Sequence, residues 1–302
     1  MIFIFGGDTP LGVSQSFVNQ FDINKQRWIN ITSVGKVPTN RHDISCANFD
    51  NGLIAIFSGM SISSSIPNDL WIFNTLTLTW SLSNATNAPL PFSGYCAITL
   101  PDGNILYIGG YDMPMNKLPL YNTKSDSWKN MSISGPTPPI RIGFSAVLTS
   151  DGRIIIFGGA DTSNRLITLG DLWILDTAMF QWSIGQILNP IMDLTLCGHT
   201  ATLVDNYMFV SFGRFGNVSY SSRIFMLDVS RKDSYNWVIE FTPNTTTTTS
   251  TTTTTVTTSS SNTITDSKST SIIIGAIIGS IISLIIFVIA SILTLKFIDK
   301  QV

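Results

Sequence analysis

Two histidines and three cysteines are all that the chain offers in imidazole and thiol chemistry. His42 lies in "RHDISCA" and His199 in "CGHTATL", 157 positions apart by number (199 − 42), with no H-x-E or C-x-x-C spacing beside either. Metal sites gather such donors at short, fixed spacings, so no metal site is expected. Cys46, Cys96 and Cys197 are odd in number and cannot all pair within one chain. They read as small buried core residues and not as a disulfide framework. Asp8, Asp112 and Asp161 each follow a glycine by one or two positions, which resembles a carboxylate cluster. Their recurrence at one phase is better explained by an Asp that starts a loop and accepts local N–H groups. No G-x-S-x-G elbow, P-loop or dinucleotide fingerprint occurs, so no catalytic residue and no cofactor are expected.

The glycines and aromatics around these residues recur in phase. A glycine element falls at Gly6-Gly7, Ser58-Gly59, Gly109-Gly110, Gly158-Gly159 and Phe212-Gly213, and a tryptophan follows each time at Trp28, Trp80, Trp128, Trp182 and Trp237. The period is about 50 residues, which marks a repeat architecture. In the fourth unit, "GFSAVLTSDGRIIIFGG" reads as strand, tight Asp-Gly hairpin and second strand. "DLWILD" and "FQWSIG" then supply two further runs rich in β-branched and aromatic residues. A four-stranded sheet of this size cannot bury both faces alone. Packing successive sheets radially covers the faces and limits exposed edges, which predicts an all-β propeller.

The paired glycines, the later aromatic pair such as Trp173 and Trp182, and their spacing resemble kelch repeats over residues 1–241. The resemblance implies glycines at the end of each second strand and aromatics packed between blades. Five repeats are recognisable, and the first begins directly at its second strand, so it lacks its innermost one. The expectation is that a longer protein supplies residues upstream of Met1, a signal peptide among them. An enzyme of similar architecture, the galactose-oxidase type, would need two histidines and two tyrosines on copper. A relative or remnant of that enzyme is kept as an alternative.

The far end of the chain changes composition. Residues 242–271 are almost wholly Thr and Ser, with too little apolar area to offset the entropy of folding, and read as a disordered stalk. Extended, such a stalk reaches on the order of 85 Å. Residues 272–295 carry no charge, and as a helix they span about 36 Å, enough for a hydrocarbon core of about 30 Å. This is the expected transmembrane helix and bilayer contact, with 296–302 as a short cytoplasmic tail marked by Lys296 and Lys300. Gly275 and Gly279, four apart, suit helix dimerisation. Acceptor triplets for N-glycosylation begin at Asn30, Asn84, Asn130, Asn217 and Asn244. Together these place the propeller outside the cell or in the secretory pathway. A tail-anchored protein with a cytosolic scaffold is the competing topology.

Charged residues are only 12% of the chain and the net charge is −2, which gives no basic patch for nucleic acid. Connections between first and second strands are short, whereas those between second and third strands and between units run to about 8–16 residues. In an up-and-down sheet the long connections share one face. That face is the expected binding surface for a protein or glycan, with Arg41, His42, Tyr111, Arg141, Arg165, Arg214 and Phe215 as candidate contacts. For Arg41 and Arg141 a structural role, bonding neighbouring carbonyls, stands as the alternative. The sequence is thus read as a membrane-anchored, non-catalytic propeller acting in binding or adhesion.

Overall fold

The computed structural model describes residues 1–8, 16–31, 35–61, 63, 65–216 and 219–243. The expected stalk from residue 244 onward and the apolar helix lie outside these residues, as do Asn217 and Asn244. The described residues form strands and turns only, and no helix among them is long and apolar enough to cross a membrane. Met1–Phe21 and Trp28–Asn244 make one compact unit, the propeller. The turn Asp22–Arg27 groups separately. It is closed by Asp22, whose Oδ1 accepts the N–H groups of Asn24 and Lys25.

The first blade has three strands, β1 (Ile2–Phe5), β2 (Val18–Asp22) and β3 (Arg27–Asn30). The second is built from β5 (Cys46–Phe49), β6 (Leu53–Phe57), β8 (Leu70–Asn74) and β9 (Thr79–Leu82), with β4 (Arg41–His42) paired to β7 (Met60–Ser61) above it. The third comprises β10 (Cys96–Thr99), β11 (Ile105–Ile108), β12 (Lys117–Asn122) and β13 (Ser127–Ser132). In the fourth, β14 (Arg141–Ile142) and β15 (Ser145–Leu148) both pair with the long β16 (Arg153–Asp161), followed by β17 (Ile167–Asp176) and β18 (Gln181–Ile184). The fifth holds β20 (Thr200–Val204), β21 (Tyr207–Ser211), β23 (Ile224–Asp228) and β24 (Asn236–Val238), with β19 (Leu196–Cys197) paired to β22 (Arg214–Phe215). Every pairing between these strands is antiparallel, and the sheet of the first blade has three strands among the described residues.

The trimmed face is tied by a repeated bond. Thr75, Thr123 and Thr177 begin the turn after the third strand of their blades, and each hydroxyl donates to the carbonyl of the hairpin glycine, Gly52, Gly103 and Gly152, at 2.8, 3.0 and 2.7 Å. Asn74, Asn122 and Asp176, one position earlier, accept two backbone N–H groups each and fix the same turn. The two short connections of a blade therefore brace one another. Growth in loop length is left to the opposite face.

Four apolar clusters hold the blades together, each containing residues of two consecutive blades. The tryptophan of the outermost strand enters the junction with the preceding blade. Trp80 packs edge-on to Phe5, Trp128 lies against Phe57 and Trp237 against Phe157. Trp182 donates its Nε1–H to the carbonyl of Met115 at 2.7 Å. These four are 8, 4, 8 and 1% exposed in that order, whereas Trp28 of the first blade is 51% exposed. The kelch-like expectation of aromatics between blades holds for four of the tryptophans and fails for Trp28, which meets no preceding blade among the described residues.

Glycine at the end of the second strand is a packing requirement. At Gly109, with φ of +66°, a Cβ would lie 2.5 Å from the Phe144 ring and 2.9 Å from the Arg141 carbonyl oxygen of the next blade. Ser58 and Phe212 stand in this position with φ of 52° and 63°, so two non-glycine residues adopt the left-handed conformation that the site imposes.

Candidate interaction face

The seven candidates fall into two groups. Arg41 and Arg141 are completely buried. Arg141 donates from Nη1 to the Gly158 carbonyl and to Asp171 Oδ1 at 3.1 and 2.8 Å, from Nη2 to Asp171 Oδ2 at 2.9 Å, and from Nε to the Pro139 carbonyl at 3.2 Å. Trp173 Nε1–H donates to the same carboxylate. The second blade repeats this arrangement with Arg41, Asp69, Ser58, Thr39 and Trp71. Burial alone would raise the Asp171 carboxyl, but the Arg141 guanidinium and the Trp173 N–H hold it below the usual carboxylate range. Both arginines thus bond inward and are fully buried, which places them in the structural role that stood as the alternative and not among surface contacts. The paired "DLW" at Asp69 and Asp171 was the sequence signal for their partners.

The remaining candidates reach the long-loop face. His42, half-buried, sits on β4 with Nδ1 3.3 Å from Asp43 Oδ2. Tyr111 is 37% exposed, its N–H bonded to the Ser93 carbonyl. Arg165 is exposed in the turn between β16 and β17, at φ of 48°. Arg214 and Phe215 are half-buried on β22, opposite Cys197 and Leu196. They are spread over several blades and do not form one cluster.

Arg214 and Phe215 border a feature that the sequence reading missed. A cleft of about 640 Å³ opens in the fifth blade between the connection that enters it and the loop between β21 and β23. It is lined by Met192, Asp193, Thr195, Phe215, Tyr220 and Arg223 among others. Met192 and Tyr220 are 88 and 82% exposed, large side chains held out in water at the mouth. A Cβ built on Gly216 would stand 3.3 Å from Thr195 Oγ1 and 3.7 Å from Thr168, so the wall continues onto β17 of the fourth blade. Beyond Thr168 come Ile167 and Leu166, both exposed, and Arg165. Connections long enough to carry such side chains were visible in sequence. Their convergence was not.

A second cavity, of about 470 Å³, lies among the innermost strands of the second to fifth blades, with Asp43, Ser45, Cys96, Ser145 and His199 in its lining. Cys46, Cys96 and Cys197 are free. The expectation that all three are buried core residues is corrected for Cys46, which is exposed on β5, and softened for the half-buried Cys96 and Cys197. Burial pushes the thiol of Cys96 up to about 12, so it is not a thiolate at neutral pH. His199 is almost wholly buried, its ring 5.6 Å from that of Phe157. Burial lowers its imidazole to about 4, with the Phe157 and Leu196 backbone acting in the opposite sense. It occupies the repeat position held by Tyr95 and Phe144 in the two preceding blades, and is an interblade packing residue. Among the described residues no three His, Cys, Asp or Glu groups stand close enough to share a metal ion. Asp161 starts its loop as expected, accepting the N–H and hydroxyl of Ser163 on Oδ1.

Consecutive four-stranded sheets packed on interblade aromatics, with one face trimmed and one elaborated, define a β-propeller. The chain belongs to the kelch-repeat family, since the KLHDC2/KLHL20/DRC7 Kelch-repeats domain matches residues 1–115 and 112–275. Proteins of this family are generally protein-interaction modules. Among curated proteins the chain is similar to acyl-CoA-binding domain-containing protein 5 of Arabidopsis thaliana, 25% identical over 236 residues that make up 76% of this chain and 35% of the relative. It is also similar to kelch domain-containing protein 10 of Xenopus tropicalis, 28% identical over 63% of this chain and 48% of the relative. Kelch domain-containing protein 3 of Rattus norvegicus is 23% identical over 60% and 50%. The chain therefore spans from about a third to a half of these relatives.

Proposed function

We propose that the chain is a membrane-anchored kelch propeller that binds a protein through its long-loop face and catalyses no reaction. The observation that carries this reading is the cleft of the fifth blade, where Met192, Tyr220 and Arg223 stand exposed around a concave wall that continues to Arg165. Met, Tyr and Arg are side chains that bury much area or several donors at an interface. The opposite face closes its turns on themselves. The apolar stretch 272–295 serves as the anchor and the Thr/Ser segment as a stalk, with the propeller on the glycosylated side. Asn84 and Asn130 are exposed, which leaves room for sugar.

Cross-linking on cells that display the full chain tests the binding face. The combination Met192→Ser, Tyr220→Ser and Arg165→Glu should abolish specific cross-links. Asp102→Lys with Lys124→Glu, on the trimmed face, should leave them unchanged. Equal labelling by both variants would remove the long-loop face from the proposal. Topology is read separately: gel mobility should increase after N-glycan removal, and an unshifted band from the native host would place the propeller in the cytosol.

A further inference from the structure

The arginines of the propeller divide by what they meet. Arg41, Arg141, Arg153 and Arg231 pair with the carboxylates of Asp69, Asp171, Asp151 and Asp233 in that order. Arg165, Arg214 and Arg223 form no ion pair among the described residues, and all three border the cleft of the fifth blade. Arg223 lines it, Arg165 stands where its wall continues past Thr168, and both are exposed. Arg214 is half-buried on β22 beside the Cys197 thiol and adds its charge from behind the wall. Carboxylates do not balance them. The connection 185–195 that enters the blade carries Asp193 alone, and the loop 212–223 carries no acid. Asp161, which starts the turn of Arg165, is 8% exposed and spent on Ser163. The cleft thus has three positive charges around one exposed carboxylate, in a chain of net charge −2. In the third blade the corresponding segments, 83–95 and 109–117, carry Asp112 and Lys117, one of each sign.

We propose, resting on the reading of this cleft as the protein-binding site, that the segment it takes is acidic: one aromatic or large aliphatic side chain enters between Met192 and Tyr220, and carboxylates within a few residues of it meet Arg165 and Arg223. The apolar part follows from the lining. Phe215 is half-buried in the wall, and Met192 and Tyr220 are held out at the mouth. A thioether and a phenol ring adapt to an inserted ring or branched chain. The acidic part follows from the unbalanced charge. A guanidinium takes a carboxylate through two parallel hydrogen bonds, and neither Arg165 nor Arg223 has an ion pair within the described residues to give up. A basic or neutral segment gains nothing from the same groups. The unbalanced charges also speed encounter with an acidic ligand, an effect that salt suppresses.

The test selects ligands for the full chain, held in detergent, from a random dodecapeptide library. Enriched peptides should carry a net charge of about −2 or below, with their acids around one aromatic or aliphatic residue, and should be lost on the Met192→Ser, Tyr220→Ser variant. A synthetic copy of one such peptide is then titrated by fluorescence anisotropy. It should bind roughly tenfold or more weakly to Arg165→Glu with Arg223→Glu and about twofold more tightly to Asp193→Asn. The trimmed-face pair Asp102→Lys with Lys124→Glu should leave its Kd unchanged. Raising salt from about 0.05 to about 0.5 M should weaken wild type more than the charge-reversed variant. Peptides without an acidic bias that are lost on the Met192→Ser, Tyr220→Ser variant overturn the acidic ligand and leave the face as a binding site. So does a Kd that charge reversal does not move. Enriched peptides that survive the Met192→Ser, Tyr220→Ser variant, or no enrichment at all, overturn the face and its ligand together.

Discussion

At His199 the fold sets a pH limit on its own stability. The imidazole titrates near 6.5 in the unfolded chain and at about 4 in the folded one, because burial penalises the cation. Between these values the unfolded chain binds more protons, so stability rises with pH, is complete above about 6.5, and is lost as pH falls toward 4. The full shift corresponds to about 3 kcal/mol. His199→Phe, which copies Phe144 of the fourth blade, should flatten this part of the profile, and urea midpoints at neutral pH and near pH 4.5 would show it. If wild type and variant lose stability in parallel over that range, the histidine is not the group responsible. The Arg141–Asp171 pair makes a different demand. Asp171→Ala strands a fully buried guanidinium and should cost about 3 kcal/mol, whereas Arg141→Met with Asp171→Leu should cost less than the single change. A double-mutant cycle on denaturation midpoints checks the order. What the sequence displayed at this scale was residue type: His and Arg at the approach to an innermost strand. Whether an arginine there points at a ligand or at its own blade depends on an aspartate 28 or 30 positions later, and a single chain without its fold does not say which pairs meet.

Strands and turns were largely legible, for a physical reason. Hairpin glycines, left-handed positions and β-branched runs act within a few residues, so the order of four strands and the short inner hairpins follow from local chemistry. Less legible were contacts that leave the element, such as Arg153, whose Nη groups donate to the carbonyls of Arg231 and Val229 and to the Tyr235 hydroxyl of the next blade. Also hidden was the difference between Trp28 and the other phased tryptophans, since identical signals in sequence have opposite surroundings. That difference predicts unequal costs. Trp182→Ala removes a side chain 1% exposed together with its bond to Met115, and should destabilise by about 3–5 kcal/mol. Trp28→Ala removes one that is 51% exposed and should cost no more than about 1 kcal/mol. Similar losses in thermal denaturation would mean that Trp28 is covered in solution.

On the scale of the whole molecule, stability should be graded along the chain. Each blade of a repeat array draws much of its stability from its neighbours, and a blade with one neighbour lacks half of that support. The second, third and fourth blades each contribute to two of the four apolar clusters, whereas the first and fifth contribute to one. Their cores differ accordingly. All residues of β11 and β16 are buried, while β1 has none that is fully buried. The fifth blade is partly compensated, because Phe241 folds back onto Tyr207 and Phe209 of its outer face at ring distances of 5.2 and 5.9 Å. The first has a three-stranded sheet and an exposed Trp28 instead. Native-state hydrogen exchange should therefore show amides of β11 and β16 opening only with the global transition, those of β21 earlier, and those of β1 and β2 earliest, at a fraction of the global free energy. Phe241→Ser should move β21 toward the behaviour of β1 and leave β11 unchanged. A single protection level from β1 to β21 would contradict this order, because it would require the two end blades to be supported as fully as the middle ones.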